Sequence, residues 1–165
     1  MDILTVSTTE VLAFDWGINI IGVLDVNSNE YVPYYGEEMI QGARRIVSSL
    51  GTIVSFNGDE RDLSEISKIL GLSSVSELNI GGEHNDMLKI TSDTRWPPDP
   101  GSGSICGPGL LKTYQHYFGD MPVVPPLYLK SKYENNQLQY VESNWMDCYM
   151  AAELWKKWKL GALVP

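Results

Sequence analysis

Asp15 closes the apolar run "VLAFD", Asn57, Asp59, Glu60 and Asp62 crowd the corner "SFNGDERDL", and Asn144 and Asp147 sit in "NWMDCYMAAELW". These are the residues whose types could do chemistry. Carboxylates drawn together from separate parts of a chain repel one another unless a cation lies between them, and hard oxygen donors of this kind suit Mg²⁺ or Mn²⁺. Such ions catalyse phosphoryl transfer by activating water and stabilising the leaving oxygen. At helical spacing Asp147 shares a face with Asn144, Ala151 and Leu154. That face is small and partly apolar, so it is expected to turn toward a sheet and not toward water.

Each residue also has a plainer reading. Asp15 could simply end a strand, and Asp62 could be a first-turn acid favoured by the helix dipole. Asn57 with Gly58 is a turn signal. Asp59 and Glu60 read as helix caps or solvent-facing acids, and Glu142 as a surface acid. Asp25 lies within a strand and would join the cluster only if its side chain reached the same edge. His84 and His116 have no Cys or His at ligand spacing and read as hydrogen-bonded structural residues. Lys156, Lys157 and Lys159 close a helix where the dipole favours cations, and Trp145, Trp155 and Trp158 read as core.

The elements that must position these groups follow from periodicity. "VLAFD" and "INIIGVLDV" read as paired strands with Gly17 at the turn, and "EYVPYY" as a third strand placed at a sheet edge by Pro33. Met39, Ile40, Ala43, Ile46, Val47 and Leu50 mark an amphipathic helix that Gly51 closes. "TIVSF" is a buried strand, and Leu63, Ile66, Ile69 and Leu70 mark a second helix. "VSELNIGGEHNDMLKI" holds a fifth strand and a short helix. Helices are also expected over "LLKTYQHYF" and in a long final segment ending "LWKKWKLG". Before the first of these, "RWPPDPGSGSICGPG" (Arg95–Gly109) is too rich in Pro and Gly for regular structure and is expected to be mobile.

A right-handed crossover through the first helix lays "TIVSF" parallel to "VLAFD", giving an α/β fold with a mixed five-stranded sheet of order 3-2-1-4-5 flanked by helices. The winding reverses between strands 1 and 4, where open α/β sheets bind ligands beyond the carboxyl ends of their strands. Asp15 and the "NGDERD" corner both end there.

The 165 residues are 43% apolar and suffice for a single domain over 1–165. A net charge of −9 excludes binding dominated by phosphate neutralisation, although local patches and bound metal leave nucleic acid open as a partner. Cys106 and Cys148 form neither a disulfide framework nor a metal-ligand pattern, so reduced thiols and a cytoplasmic location are expected. No segment reads as a signal peptide or a membrane span.

These residues resemble the 3′-5′ exonuclease group of the ribonuclease H-like superfamily, whose four acidic metal ligands give it the name DEDD. "LAFDWG" is similar to the strand that ends in Asp-x-Glu in that group, with Asp15 as the first acid. "IVSFNGDERDL" resembles the strand, Asn-Gly corner and following Asp-Leu, carrying Asn57 and Asp62 onto that motif. In "EHNDMLK" the resemblance makes Asp86 a helix cap without a metal bond, and "GLLKTYQHYFG" resembles the helix that follows. "NWMDCYMAAELW" is similar to the last motif, with Asn144 and Asp147 in the form Asn-x-x-Asp. Gly17 stands where the group has its Glu, so the ligand that bridges to a second metal is missing. Glu142 and Ser143 stand where its His or Tyr is usual.

The resemblance implies a metal-dependent nuclease, an exonuclease-like hydrolase acting on DNA or RNA, with a single-stranded 3′ end as the expected substrate. Asp15, Asp62 and Asp147 would be catalytic through Mg²⁺ or Mn²⁺, and Asn57 and Asn144 would contact substrate. A second reading is an impaired nucleic-acid-binding or interaction module that keeps the fold. A third arises from "DWGINIIGV", which is similar to the opening of Holliday-junction resolvases in the same superfamily. An actin-like phosphotransferase shares that opening but needs two such domains.

Overall fold

The computed structural model describes residues 9–93, 109–120, 122–133 and 137–163. It is an α/β fold in which a five-stranded mixed sheet is covered by helices on both faces. Strands β1 (Val11–Gly17), β2 (Ile20–Asp25) and β3 (Tyr31–Tyr35) form an antiparallel meander, and α1 (Met39–Ser48) crosses over to β4 (Thr52–Ser55). A π-helical turn, Gly58–Asp62, leads into α2 (Leu63–Ile69). Then come β5 (Glu83–Asp86), α3 (Met87–Asp93), α4 (Leu110–Phe118), α5 (Leu127–Lys132) and α6 (Leu138–Lys159). β4 runs parallel to both β1 and β5, which gives the expected order β3-β2-β1-β4-β5.

Side chains alternate across a strand, and in β1 that alternation sorts two cores. Leu12 and Phe14 pack with Ile21, Val23, Ala43, Ile46, Ile53 and Ile66 beneath α1 and α2. Val11 and Ala13 face the other way, against Val141, Trp145, Cys148 and Ala151 of α6. Both faces are covered, so the central strand is apolar along most of its length. Asp15 shares the parity of Ala13, which turns it toward α6.

One local expectation is corrected. Gly17 is a paired strand residue opposite Ile20, and the turn belongs to Ile18 and Asn19, with Asn19 taking the left-handed φ of 62°. Asn is the residue other than Gly that best tolerates that conformation. The stretch "VSELNIGGEHNDMLKI" holds the expected fifth strand, Glu83–Asp86, and the start of a short helix, after a 3₁₀ turn at Val75–Glu77. A short helix, α5, begins directly after Pro126, whose fixed φ suits the residue before the first helical position. The expected mobile loop Arg95–Gly109 lies outside the described residues except for Gly109, and Cys106 lies outside with it. Cys148 is a free, buried thiol. No helix among the described residues is long and apolar enough to cross a membrane.

Candidate functional site

Parallel strands β1 and β4 end side by side, and the chain leaves them in opposite directions across the sheet. A cleft of about 200 Å³ opens beyond β1, lined by Asp15, Trp16, Gly17, Arg61, Asn144 and Asp147 among others. The Asp15 and Asp147 carboxyls lie within hydrogen-bonding reach of each other. Asp62 approaches from the π turn after β4, and its carboxylate accepts the Trp16 backbone N–H. Asp15 and Asp147 thus line one cleft, and Asp62, which does not line it, lies near enough for its charge to act on Asp15.

Asn144 fixes this arrangement. Its Nδ2 donates to the Asp15 carbonyl at 3.0 Å and to Asp15 Oδ2 at 3.1 Å, while the Tyr31 hydroxyl donates to its Oδ1 at 2.6 Å. Both ends of the amide are engaged within the protein and the residue is buried. Asn144, expected to contact substrate, lines the cleft, and its amide orients Asp15. Gly22, directly opposite Asp15 in the hairpin, makes the approach possible, since a Cβ there would lie 1.5 Å from Asn144 Oδ1. A lone Gly inside a strand signals such a close approach, and "IIGVLD" carried that signal unread.

Burial is the first cause that pushes the Asp15 carboxyl well above its ordinary range, with the Asp147 and Asp62 charges adding to it. Asp62 is 2% exposed, and burial, together with the charges of Asp86 and Asp147, raises its pKa to about 7 against the opposing pull of Arg61. Burial also raises Asp147, which the bond from Asp15 and the Arg61 charge hold back. Asp62 Oδ2 is buried and has no hydrogen-bond partner among the described residues. An orphaned buried carboxylate oxygen costs free energy unless a donor or a cation meets it.

Hard carboxylate oxygens, one of them without a partner, fit Mg²⁺ or Mn²⁺ by donor chemistry. Among the described residues no three His, Cys, Asp or Glu side chains take the spacing of a metal site. Gly17 lines the cleft without a carboxylate. Its φ is not in the left-handed region, and a Cβ there would meet only the Ile20 Cγ2 atom closely, at 2.9 Å.

The rest of the corner is structural. Asn57 takes a left-handed φ of 64°, as its turn reading implies, and does not line the cleft. Asp86 accepts the backbone N–H of Asn57 at 2.7 Å, of Asp59 at 3.2 Å and of Leu88 at 3.0 Å, tying the π turn to the start of α3. Asp59 neither caps a helix nor simply faces solvent: it pairs with His84 Nδ1 at 2.9 Å and with Lys89. His84 Nε2 meets Ser55 Oγ at 2.8 Å, completing a Ser-His-Asp series. That series lacks access to substrate, because Ser55 is wholly buried and the Gly58 N–H donates to its hydroxyl from above. Neutral His84, favoured by burial, satisfies all of these bonds. The Glu60 side chain lies outside the described residues. Asp25 ends β2 at the far end of the hairpin and accepts the N–H groups of Asn27 and Ser28.

Trp16, Arg61, Gly22 and Tyr31 were not singled out in the sequence, and of these only Gly22 had a local signal. Comparison of the chain with protein-family models, with curated proteins and with solved structures gives no match.

Proposed function

We propose that the chain is a ribonuclease H-like nuclease that hydrolyses phosphodiester bonds of DNA or RNA at a 3′ end, with Asp15, Asp62 and Asp147 holding Mg²⁺ or Mn²⁺. The observation that supports the reading is the approach of these three acids to one another near the sheet's switch point, one of them with a buried oxygen that no described residue satisfies. Mutual repulsion and burial keep protons on the cluster that a cation would displace, so metal uptake should release protons.

When bound, the ion would supply an activated water and charge stabilisation for the leaving oxygen. The chain's own residues do the positioning. Asn144 fixes the rotation of the Asp15 carboxyl, and the Trp16 N–H fixes one oxygen of Asp62 while the other stays free. Trp16 and the half-exposed Tyr140 flank the cleft, where they offer ring faces to a terminal base. A single strand fits this better than a duplex, since a base must leave its stack to reach them.

The second reading, a module that binds without efficient catalysis, is favoured by Gly17, which leaves the cleft one carboxylate short of the group it resembles. The two are separated by calorimetric Mn²⁺ titration beside degradation of 3′-labelled and 5′-labelled single strands. The expected result is weak cleavage, better with Mn²⁺ than Mg²⁺, that Asp15→Asn abolishes. Robust Mg²⁺-dependent cleavage that survives Asp15→Ala would refute the site. Neither metal binding nor cleavage would favour the module.

A further inference from the structure

The acid cleft also contains a guanidinium. Arg61 is exposed, stands next to Asp62 in the π turn and lines the same cleft as Asp15, Gly17 and Asp147. Among the residues lining the cleft it is the one with a cationic side chain. Its guanidinium carbon lies 5.9 Å from the centre of the Trp16 ring, a cation–π contact that restricts the side chain at the cleft wall. With their protons displaced by a metal, the carboxylates of Asp15, Asp62 and Asp147 against one guanidinium would leave two negative charges, which one divalent cation would balance. A second divalent ion would need another acid, and the position that could supply it is Gly17.

We infer that Arg61 is a phosphate-binding residue of this cleft, its guanidinium taking the place of a second cation so that the site holds one divalent ion and one phosphate group of a strand end. The inference rests on the nuclease reading of the cleft. An Arg fork matches two phosphate oxygens at once, and Arg is weakly hydrated, so it can be drawn into the cleft at modest cost. A π turn aids the geometry: it widens the backbone just where buried Asp62 and exposed Arg61 must diverge, one into the cluster and one over it.

The test uses the full chain, Mn²⁺, and thymidine 5′-monophosphate as the phosphate probe, read by calorimetry. Wild type should bind one Mn²⁺ per chain and, once loaded, the nucleotide. Arg61→Gln should still bind one Mn²⁺, at least as tightly because a nearby positive charge is gone, yet lose about tenfold or more of its nucleotide affinity. Arg61→Lys should recover part of that loss, since the charge returns without the fork. Unchanged nucleotide affinity in the Mn²⁺-loaded Arg61→Gln protein would overturn the inference. So would loss of Mn²⁺ binding in that variant, which would make Arg61 a support for Asp62. Two Mn²⁺ ions on wild type would overturn the inference while leaving the nuclease reading intact, whereas no Mn²⁺ on wild type would refute that reading itself.

Discussion

Asp62 shows at the scale of one residue how a site is held at a cost to stability. Its folded pKa of about 7 stands above the unfolded value of 3.8, so between those limits the folded chain keeps a proton that the unfolded chain has lost. Stability without metal therefore falls as pH rises from about 4 to about 7, by at most about 4 kcal/mol for this group. Asp15 and Asp147 are raised as well and add to the same slope, while the lowered Asp59 and Glu77 act only below their ordinary range. Asp62→Asn keeps an oxygen for the Trp16 N–H and removes the buried charge. In EDTA at pH 7.5 the variant should melt higher than wild type, by several degrees for a domain of this size, and its melting temperature should depend less on pH. A lower melting temperature than wild type would show that the ionised carboxylate is structurally needed.

At the scale of the element, the corner between β4 and α2 is the part most dependent on one side chain. A π-helical turn is rare, and this one begins after a left-handed Asn57. Asp86 reaches across from β5 and satisfies N–H groups at both of its oxygens. Asp86→Ala should cost about 3 kcal/mol, because buried donors lose a charged acceptor. Hydrogen exchange should quicken at Asn57 and Asp59 well beyond the change elsewhere. Asp86→Asn, which keeps an acceptor oxygen, should fall between. A loss within about 0.5 kcal/mol for Asp86→Ala would mean that the Ser55-His84-Asp59 series alone holds the corner.

The whole molecule carries a charge of −9, and its acid cleft would repel a nucleic-acid strand. If the cleft takes a strand end through one ion and Arg61, few counterions leave the strand on binding. Affinity for a labelled single strand should rise on adding Mn²⁺, and log K against log salt should be shallow, with a slope of about −0.7 to −1.5, as for one or two phosphates. A steep slope together with binding in EDTA would point to a basic surface elsewhere, for which the Lys-rich end of α6 is the nearest candidate. Its lysines lie over aromatic rings, Lys157 on Phe118 at 4.9 Å and Lys159 on Trp158 at 5.2 Å.

The sequence by itself determined the layered α/β order. Period-two apolar runs, helical stripes at Met39–Leu50 and the one-handed crossover leave little choice of topology, and that topology brings Asp15 beside the "NGDERD" corner. Parity along β1 likewise turns Asp15 toward α6. What only the tertiary structure decided depends on atoms far apart in the chain: Asn144 has its amide committed to Asp15 and Tyr31, Asp59 pairs with His84, and Arg61 lies against Trp16. Local patterns report whether a side chain is buried or turn-forming, but a hydrogen bond forms to within a few tenths of an ångström. That precision is fixed by how α6 settles onto β1 and β2, for which the small space left by Gly22 is decisive.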